Sequence, residues 1–234
     1  MGESRQMQVA IADDETEISQ EISHHLSNEG LSCETFRNGD EVVAALRKST
    51  YDVILLDWNM PGRTGVEVIE WASQNLEKAP AFIIMTSRSD PEDVVRGLEA
   101  GACDFIVKPE HPSVVLARVN AAGRRVIPRN ADPVVELGPY SINRSTREAS
   151  LHGENIKLTA KEFSLASVFF ENLERPLSRN YLLAKVWGSS DQMETRTLDM
   201  HVSRVRSKLQ LRPENGVVIQ TVFGFGYRLN SSEE

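Results

Sequence analysis

The stretch that decides the fold is residues 52–62, which read DVILLDWNMPG. Its aliphatic residues, 53–56, run without a polar interruption and end on a carboxylate, Asp57. A short apolar run bounded by turn residues predicts a strand that is buried on both faces. The Pro-Gly turn at 61–62 follows at once. We therefore expect Asp57 to lie at the carboxyl end of a central strand, exposed at the edge of the fold.

Similar apolar runs recur through the first half of the chain and alternate with amphipathic stretches. The runs are MQVAIAD (7–13), LSCETF (31–36), DVILLD (52–57), AFIIMT (81–86) and DFIVK (104–108), and the amphipathic stretches lie near 15–28, 39–48, 64–77, 91–100 and 112–125. Five strands that alternate with five helices predict a parallel sheet with helices on both faces. The first half is thus predicted to be a doubly wound α/β domain.

The second half has a different pattern, and a linker separates the two. Residues 124–133, RRVIPRNADP, contain charges and two prolines without periodicity, which is typical of a linker. We therefore predict domains at 1–123 and 134–234. In the second domain, strand-like pieces at 134–143 and 147–153 precede helical patterns near 159–172, 178–187 and 195–209, and a terminal hairpin follows at 217–229. This order predicts helices with a β-wing.

Composition and charge indicate two folded domains with different partners. The 234 residues are 40% hydrophobic and 26% charged, and they carry a net charge of −8, as in ordinary globular proteins. Residues 1–123 hold −11 of that charge, whereas residues 124–234 hold +3. An acidic half suits cation binding, and a basic half favours a polyanion such as nucleic acid.

The apolar runs also bear on location. They are far shorter than the roughly 20 residues that cross a bilayer, and the first ten residues lack the apolar run of a signal peptide. We expect a cytoplasmic protein with no membrane partner. Cys33 and Cys103 are too few for a disulfide framework or a zinc site, which favours small buried thiols.

Polar side chains follow the predicted strands where each strand ends. They are Asp13 and Asp14 after the first strand, Asp57 after the third, Thr86 after the fourth and Lys108 after the fifth. Ligands bind at the carboxyl ends of strands in open α/β sheets, and crowded carboxylates suit Mg²⁺. A carboxylate nucleophile, a divalent cation, a hydroxyl and an ammonium are the groups that phosphoryl transfer to an aspartate requires. Any one carboxylate could instead cap a helix, but that explanation does not account for the whole set.

These residues, together with the MPG of 60–62, Gly65 and Pro109, resemble the receiver domain of two-component response regulators over about residues 7–123. The resemblance implies that Asp57 accepts a phosphoryl group from a sensor histidine kinase. It implies Mg²⁺ ligands at Asp14 and Asp57 directly, at Asp13 through water and at the main-chain carbonyl of Asn59. Thr86 would hydrogen-bond the phosphoryl group, Lys108 would pair with it, and Phe105 would be the aromatic switch residue. Ser87 and Arg88 are expected to tune the lifetime of the phosphoryl group.

In the second half, the segment 194–209 carries Leu198, Val202, Val205 and Leu209 on one stripe, which predicts a helix with one core-facing side. Cations and hydroxyls occupy the rest of that helix. A solvated surface helix and a DNA-reading helix are both compatible with this pattern, because Arg and Lys serve both roles.

The segments 158–188, 196–209 and 221–229 resemble, in order and spacing, the winged-helix effector domain of the OmpR/PhoB family, over about residues 134–231. The helix at 195–209 then becomes a recognition helix, and residues 188–194 the loop that addresses RNA polymerase. The implied DNA contacts are Arg196, His201, Arg204 and Arg206 on the helix and Thr221 and Tyr227 on the wing. The resemblance also implies a homodimer on phosphorylation and promoter DNA with direct-repeat half-sites.

The sequence departs from the family in both domains. Phe223 and Ser203 replace positive charges near the expected DNA surface, which predicts a shallower salt dependence of binding. On the face that dimerises in the family, Asp104 and Arg118 keep one ion pair, Val94 and Val114 replace partners of opposite charge, and Asn120 replaces the cation that would meet Glu99. We expect a dimer held more by aliphatic contact than by charge.

Two rival functions remain at this point. Aspartyl-phosphate phosphohydrolases also use a strand-end aspartate with Mg²⁺, but they typically carry a second aspartate where Asn59 stands, and that function leaves the winged helix unexplained. A DNA-binding protein that works without phosphorylation would keep the fold, although its pocket would not need to be complete. The main prediction is a phosphorylation-controlled transcriptional regulator that is not an enzyme.

Overall fold

The computed structural model describes residues 6–87, 91–126, 133–188 and 195–231. The chain forms two compact units, residues 1–127 and residues 128–234. Across the described residues, no helix is both long enough and apolar enough to cross a membrane.

The described part of the first unit is built from alternating strands and helices. The strands are β1 (Gln8–Ala12), β2 (Ser32–Phe36), β3 (Val53–Asp57), β4 (Ala81–Thr86) and β5 (Asp104–Val107). The helices are α1 (Thr16–Asn28), α2 (Gly39–Leu46), α3 (Gly65–Asn75), α4 (Pro91–Ala100) and α5 (Pro112–Val126). The strands form one parallel sheet in the order β2-β1-β3-β4-β5. The doubly wound α/β fold predicted from the sequence is confirmed.

The aliphatic run that predicted β3 is buried on both faces of this sheet. Ile54 and Leu56 belong to the apolar cluster on one side, and Val53 and Leu55 belong to the cluster on the other. All four side chains are inaccessible to solvent. Burial on both faces fixes β3 at the centre of the sheet, and its last residue, Asp57, is fixed with it.

The boundary of the first unit differs from the predicted one. Helix α5 continues through Val126, so residues 124–126 extend this helix instead of starting a linker. The two arginines at 124 and 125 suit a helix end, because cations there interact favourably with the helix dipole. The rest of the predicted linker, apart from Pro133, lies outside the described residues.

The described part of the second unit combines two antiparallel sheets with three α-helices. One sheet contains β6 (Val134–Leu137), β7 (Tyr140–Asn143), β8 (Glu148–Leu151) and β9 (Glu154–Ile156) in that order, and the other has the order β10-β12-β11, from β10 (Leu177–Ser178), β11 (Val217–Val222) and β12 (Gly226–Ser231). The helices are α6 (Ala160–Glu171), α7 (Arg179–Trp187) and α8 (Thr195–Lys208), and a short 3-10 helix spans Pro213–Asn215. The predicted hairpin is β11–β12, and the three predicted helices are α6 to α8.

Helix α8 is held in place by its apolar stripe and by one ion pair. Leu198, Val202, Val205 and Leu209 are fully buried in the core of this unit, as the spacing predicts. At the carboxyl end of α8, the Lys208 ammonium lies 2.6 Å from a carboxylate oxygen of Glu162, a residue of α6. Glu162 also completes the capping box of α6 with Thr159. The two helices are therefore joined where α6 begins and α8 ends.

Candidate functional site

The polar strand ends of the first unit meet around the ammonium of Lys108. Its Nζ atom lies 2.6 Å from Oδ2 of Asp13 and 2.6 Å from Oδ1 of Asp57. Asp13 follows β1, Asp57 ends β3 and Lys108 follows β5. Parallel strands that end at the same edge thus bring together residues that are 51 and 95 positions apart along the chain.

Asp57 is less accessible than the sequence predicted. Its side chain is 11% exposed, because Lys108 covers one oxygen and the backbone N–H of Asn59 donates to the other at 2.9 Å. Gly65 also lies against it, and a Cβ atom at position 65 would come within 2.5 Å of the Asp57 carbonyl oxygen. The turn after β3 therefore packs against Asp57, through the Asn59 N–H at the carboxylate and through Gly65 at the main chain.

The charges in this pocket do not balance. Burial raises the pKa of Asp57 above its usual value, and the hydrogen bond and charge of Lys108 only partly offset that effect. Burial disfavours the charged form of Lys108, but its hydrogen bonds to Asp13 and Asp57 outweigh this and raise its pKa. Two buried carboxylates share one ammonium, so the pocket favours a further positive charge.

Asp14 lies next to this pocket, but its side chain is exposed. Among the residues that the structure describes, no three carboxylate, imidazole or thiol groups converge as a metal cage would require. Mg²⁺ does not need such a cage, because it usually keeps several waters and takes one or two carboxylates together with phosphate oxygens. The donor set and the unbalanced negative charge fit that mode of binding.

Thr86 and Phe105 lie on the two strands that flank the pocket. The Thr86 side chain is buried, and its carbonyl oxygen accepts a 2.7 Å hydrogen bond from the Lys108 backbone. Phe105 is half-buried and packs edge-on against Trp58, the residue after Asp57, with ring centroids 6.4 Å apart. Trp58 in turn lies beneath Gly97 of α4. Trp58, which follows Asp57 in the chain, therefore contacts both Phe105 on β5 and Gly97 on α4.

In the second unit, α8 presents exposed cations opposite its buried stripe. Arg196, Ser203, Arg204 and Ser207 are exposed. Between the two arginines lies Met200, whose 44% exposure the sequence reasoning missed, because a methionine on an amphipathic helix is usually assigned to the core. An exposed apolar side chain between cations can contact the methyl group of thymine.

His201 and Arg206 make contacts within the domain. The His201 ring packs edge-on against Trp187, and its Nδ1 lies 2.8 Å from the Thr197 carbonyl oxygen. The guanidinium of Arg206 donates to the Ile219 carbonyl oxygen at 2.8 and 3.1 Å and lies 3.4 Å from the Thr221 hydroxyl. Arg206 therefore joins α8 to β11 and is only partly available to a ligand.

Tyr227 is less accessible than the predicted DNA contact implies. Its ring is buried, it lies between the guanidinium groups of Arg179 and Arg206, and its hydroxyl donates to Asp199 at 2.6 Å. A ring in this position supports the hairpin and α8, and a DNA contact by Tyr227 stays a prediction. Thr221, by contrast, is exposed.

The predicted dimer face is more apolar than the sequence indicated. Val94 and Val114 are half-buried, and Val95, Leu98 and Val107 on α4 and β5 are exposed large apolar side chains. Glu99 is exposed. Asp104 and Arg118 pair within one chain, where an Arg118 nitrogen lies 2.9 Å from both Asp104 oxygens.

Besides the linker, two predictions fall on residues that the structure does not describe. They are the role of Arg88 in tuning the phosphoryl group and, apart from Gly188, the loop at 188–194. Gly188 ends α7 with a positive φ of 87°, a conformation that favours glycine.

Comparison with known protein families identifies the class of each unit. The family model described as the response regulator receiver domain matches residues 9–120. The model described as the C-terminal domain of transcriptional regulatory proteins matches residues 153–229. The protein is therefore a response regulator that joins a receiver domain to a DNA-binding domain.

Similar proteins extend this result to the whole chain. The phosphate regulon transcriptional regulatory protein PhoB of Escherichia coli is 33% identical over 224 residues, which cover 95% of this chain and 97% of that protein. The sensory transduction protein RegX3 of Mycolicibacterium smegmatis is 34% identical and covers 94% of this chain and 98% of its own. A solved structure of the response regulator DrrB of Thermotoga maritima covers 97% of this chain and 100% of its own, with 27% identity and a TM-score of 0.46. The chain belongs to the OmpR/PhoB family of response regulators.

Proposed function

We propose that Asp57 accepts the phosphoryl group and that Asp13, Asp14, Asn59, Thr86 and Lys108 surround it. The observation that carries this proposal is the position of the Lys108 ammonium, 2.6 Å from both Asp13 and Asp57. An Asp57 oxygen attacks phosphorus while the P–N bond to the kinase histidine breaks, and the imidazole keeps the electron pair of that bond. The product is an acyl phosphate on Asp57.

The pocket residues have separate roles in this step. A bound Mg²⁺, held by Asp14, Asp57 and the Asn59 carbonyl and through water by Asp13, would neutralise phosphoryl oxygens. Lys108 pairs with one phosphoryl oxygen, and the Thr86 hydroxyl donates to another. Since phosphorylation replaces about one negative charge with about two, Lys108 and Thr86 are drawn inward. Phe105 then follows into the space that Thr86 leaves.

The test of the phosphoacceptor is the transfer of labelled phosphate from acetyl phosphate to the full chain in the presence of Mg²⁺. Asp57→Asn removes the nucleophile and is expected to abolish incorporation. Asp40→Asn, which changes an exposed aspartate that pairs with Arg63, is the matched control and keeps it. Incorporation into Asp57→Asn at the wild-type level would contradict the proposal. Continuous release of phosphate in many turnovers would favour the phosphohydrolase instead.

We further propose that α8 reads the major groove of promoter DNA through Arg196 and Arg204. Both are exposed on the side of α8 opposite its buried stripe. His201 and Thr221 lie at the margin of this surface, and Arg206 and Tyr227 hold the hairpin against the helix. Direct-repeat half-sites and contact of residues 188–194 with RNA polymerase are supported by the family alone. Because the related proteins are named as regulators, the proposed activity is DNA binding and not catalysis. The proposed partners, a sensor histidine kinase and promoter DNA, imply a cytoplasmic location.

Phosphorylation is proposed to promote a homodimer through α4, β5 and α5. The support is the exposed apolar set Val95, Leu98 and Val107 beside the half-buried Val94 and Val114. Apolar patches on a soluble protein commonly mark an interaction surface. In the dimer, Asp104 and Arg118 exchange their pair within the chain for pairs between the two chains.

A further inference from the structure

A cleft in the first unit lies between α1, the carboxyl ends of β4 and β5, and the start of α5. Its volume is about 310 Å³, and its apolar lining includes Ile18 and Ile22 on α1, Ile106 on β5 and Val115 on α5. Ile106 and Val115 are buried in the core of the unit, whereas Ile18 and Ile22 are half-buried. The two isoleucines of α1 therefore form an apolar wall that is partly open to solvent.

The rim of this cleft is acidic. Glu15 and Glu21 line it at α1, and Glu110 lines it after β5. All three glutamates are exposed. Among the described residues that line the cleft, Lys108 is the only cation, and its ammonium already lies 2.6 Å from two carboxylates of the receiver pocket. Three carboxylates beside an apolar wall favour an occupant that combines a positive charge with an apolar body.

The size of the cleft favours a small molecule over a segment of protein. One turn of an α-helix occupies about 400–600 Å³, for a diameter of about 10–12 Å and a pitch of about 5.4 Å. The cleft, at about 310 Å³, is smaller than that turn and lies at the lower end of the range for small-ligand pockets, about 300–1,000 Å³. The exposed large apolar side chains of the first unit, among the described residues, lie instead on α4 and β5. An apolar surface for a protein partner is therefore found elsewhere.

We propose that this cleft binds a small organic cation with an apolar body, such as an aromatic amine. The apolar body packs against Ile18, Ile22 and Ile106, and the ammonium lies at the rim near Glu15 and Glu21. Burial of the apolar body supplies most of the affinity, because ion pairs with exposed carboxylates contribute little. The charge supplies selectivity against neutral and acidic molecules of the same shape. This binding does not depend on the proposed phosphorylation.

The test is a titration of the full chain with tryptamine, followed by NMR of isotope-labelled isoleucine methyl groups at about 0.15 M salt, with and without saturating Mg²⁺. Tryptophol, which has a hydroxyl in place of the ammonium, is the neutral probe of the same shape. Tryptamine should shift the signals of Ile18, Ile22 and Ile106. It should leave those of Ile54 and Ile84, which lie on the opposite face of the sheet. Tryptophol should cause the same shifts with about fivefold lower affinity.

Substitutions on α1 separate the apolar wall from the acidic rim. Glu21→Gln is expected to reduce the preference for tryptamine over tryptophol about twofold to threefold. Glu17→Gln, which removes the same charge from an exposed position of α1 outside the cleft, is the matched control and should keep that preference. Ile22→Ala should weaken the binding of both probes about tenfold, because apolar contact is lost. Unchanged signals of Ile54 and Ile84 show that each variant is folded.

Several results would overturn the proposal. They include the absence of shifts at the isoleucines of the cleft and equal affinities for the two probes. Equal effects of Glu17→Gln and Glu21→Gln would reduce the rim to a matter of net charge. Loss of tryptamine binding when Mg²⁺ is added would place the cation in the receiver pocket instead. Isoleucine shifts that change with protein concentration in the absence of a probe would identify a second copy of the chain as the occupant.

Discussion

At the scale of single residues, Lys108 is the group on which the receiver pocket depends. Its ammonium is the cation that both Asp13 and Asp57 contact in the described structure. Removing one partner of a buried ion pair leaves an uncompensated charge, which costs about 3–5 kcal/mol. The same residue therefore stabilises the unmodified pocket, and in the proposed mechanism it also pairs with the phosphoryl group.

The Lys108→Ala variant is expected to lower the free energy of unfolding of the first unit by about 3 kcal/mol at neutral pH. Adding Asp57→Asn should recover part of that loss, because one of the two unpaired carboxylates is gone. Urea unfolding of the full chain with Trp187 replaced by Phe, followed by Trp58 and Trp71 fluorescence, measures both. Strictly additive effects of the two substitutions would contradict the shared ion pair.

Arg204 and Arg206 are predicted to differ although both are arginines on α8. Arg204→Ala should weaken DNA binding and reduce the salt slope by about one unit, because an exposed cation is lost. Arg206→Ala should instead speed hydrogen exchange in β11 and β12, because its hydrogen bonds to Ile219 are lost. Faster exchange in the hairpin of Arg204→Ala, or none in Arg206→Ala, would contradict these roles.

Single residues also show where prediction from sequence stops. The identities of Asp13, Asp57, Thr86 and Lys108 could be predicted, since each follows an apolar run. The low exposure of Asp57 could not, because it arises from a lysine 51 positions away and from the fold of the next turn. The burial of Tyr227 could not be predicted either, because the partner of its hydroxyl, Asp199, lies 28 positions away.

At the scale of elements, the packing of α8 sets the geometry of the proposed DNA surface. Leu198→Ala should lower the stability of the second unit by about 2–5 kcal/mol, because it leaves a cavity in the core. Met200→Ala, two positions away and exposed, is the matched control and should change stability by less than about 0.5 kcal/mol. Hydrogen exchange of α8 and α6 amides measures both, and equal losses would contradict the assigned faces.

The contact between α6 and α8 predicts a dependence on pH. Burial opposes ionisation of Glu162, but hydrogen bonds from Lys208 and Thr159 outweigh it and hold its pKa below the usual value. Its contribution to stability is therefore present above the unfolded pKa of about 4.3 and is lost as the pH falls through the lower pKa of the folded state.

Glu162→Gln keeps the shape of the capping box and removes the ion pair. We expect it to lower the stability of the second unit by about 1 kcal/mol at pH 7 and by much less at pH 3. Urea midpoints at the two pH values measure the difference. An equal loss at both would show that the charge of Glu162 contributes nothing.

Elements were predicted from sequence to the extent that their own residues define them. The receiver strands are continuous aliphatic runs, and α8 has a clear apolar stripe. In contrast, β9 contains one apolar residue in three, and β10 has only two residues. Both form because a neighbouring strand supplies hydrogen bonds, and a local pattern carries no signal of such pairing.

At the scale of the whole molecule, the account predicts assembly on activation. Light scattering of the full chain should show a monomer that becomes a dimer with beryllofluoride and Mg²⁺. Val94→Asp should prevent this change, because it places a charge in an apolar contact. Gln20→Asp, which adds the same charge at an exposed position of α1, is the control for a nonspecific effect. Normal dimerisation of Val94→Asp would contradict the proposed face.

The central claim is that the state of Asp57 controls DNA binding. The most direct test uses a DNA duplex that is selected from a random pool with the activated full chain. The affinity for this duplex is measured with and without beryllofluoride and Mg²⁺, in the wild type and in Asp57→Asn. We predict that activation raises the affinity of the wild type at least about tenfold, within the 1–3 kcal/mol typical of coupling between sites, and leaves Asp57→Asn unchanged. Equal, tight binding by both proteins under both conditions would contradict the claim and indicate a DNA-binding protein that works without phosphorylation.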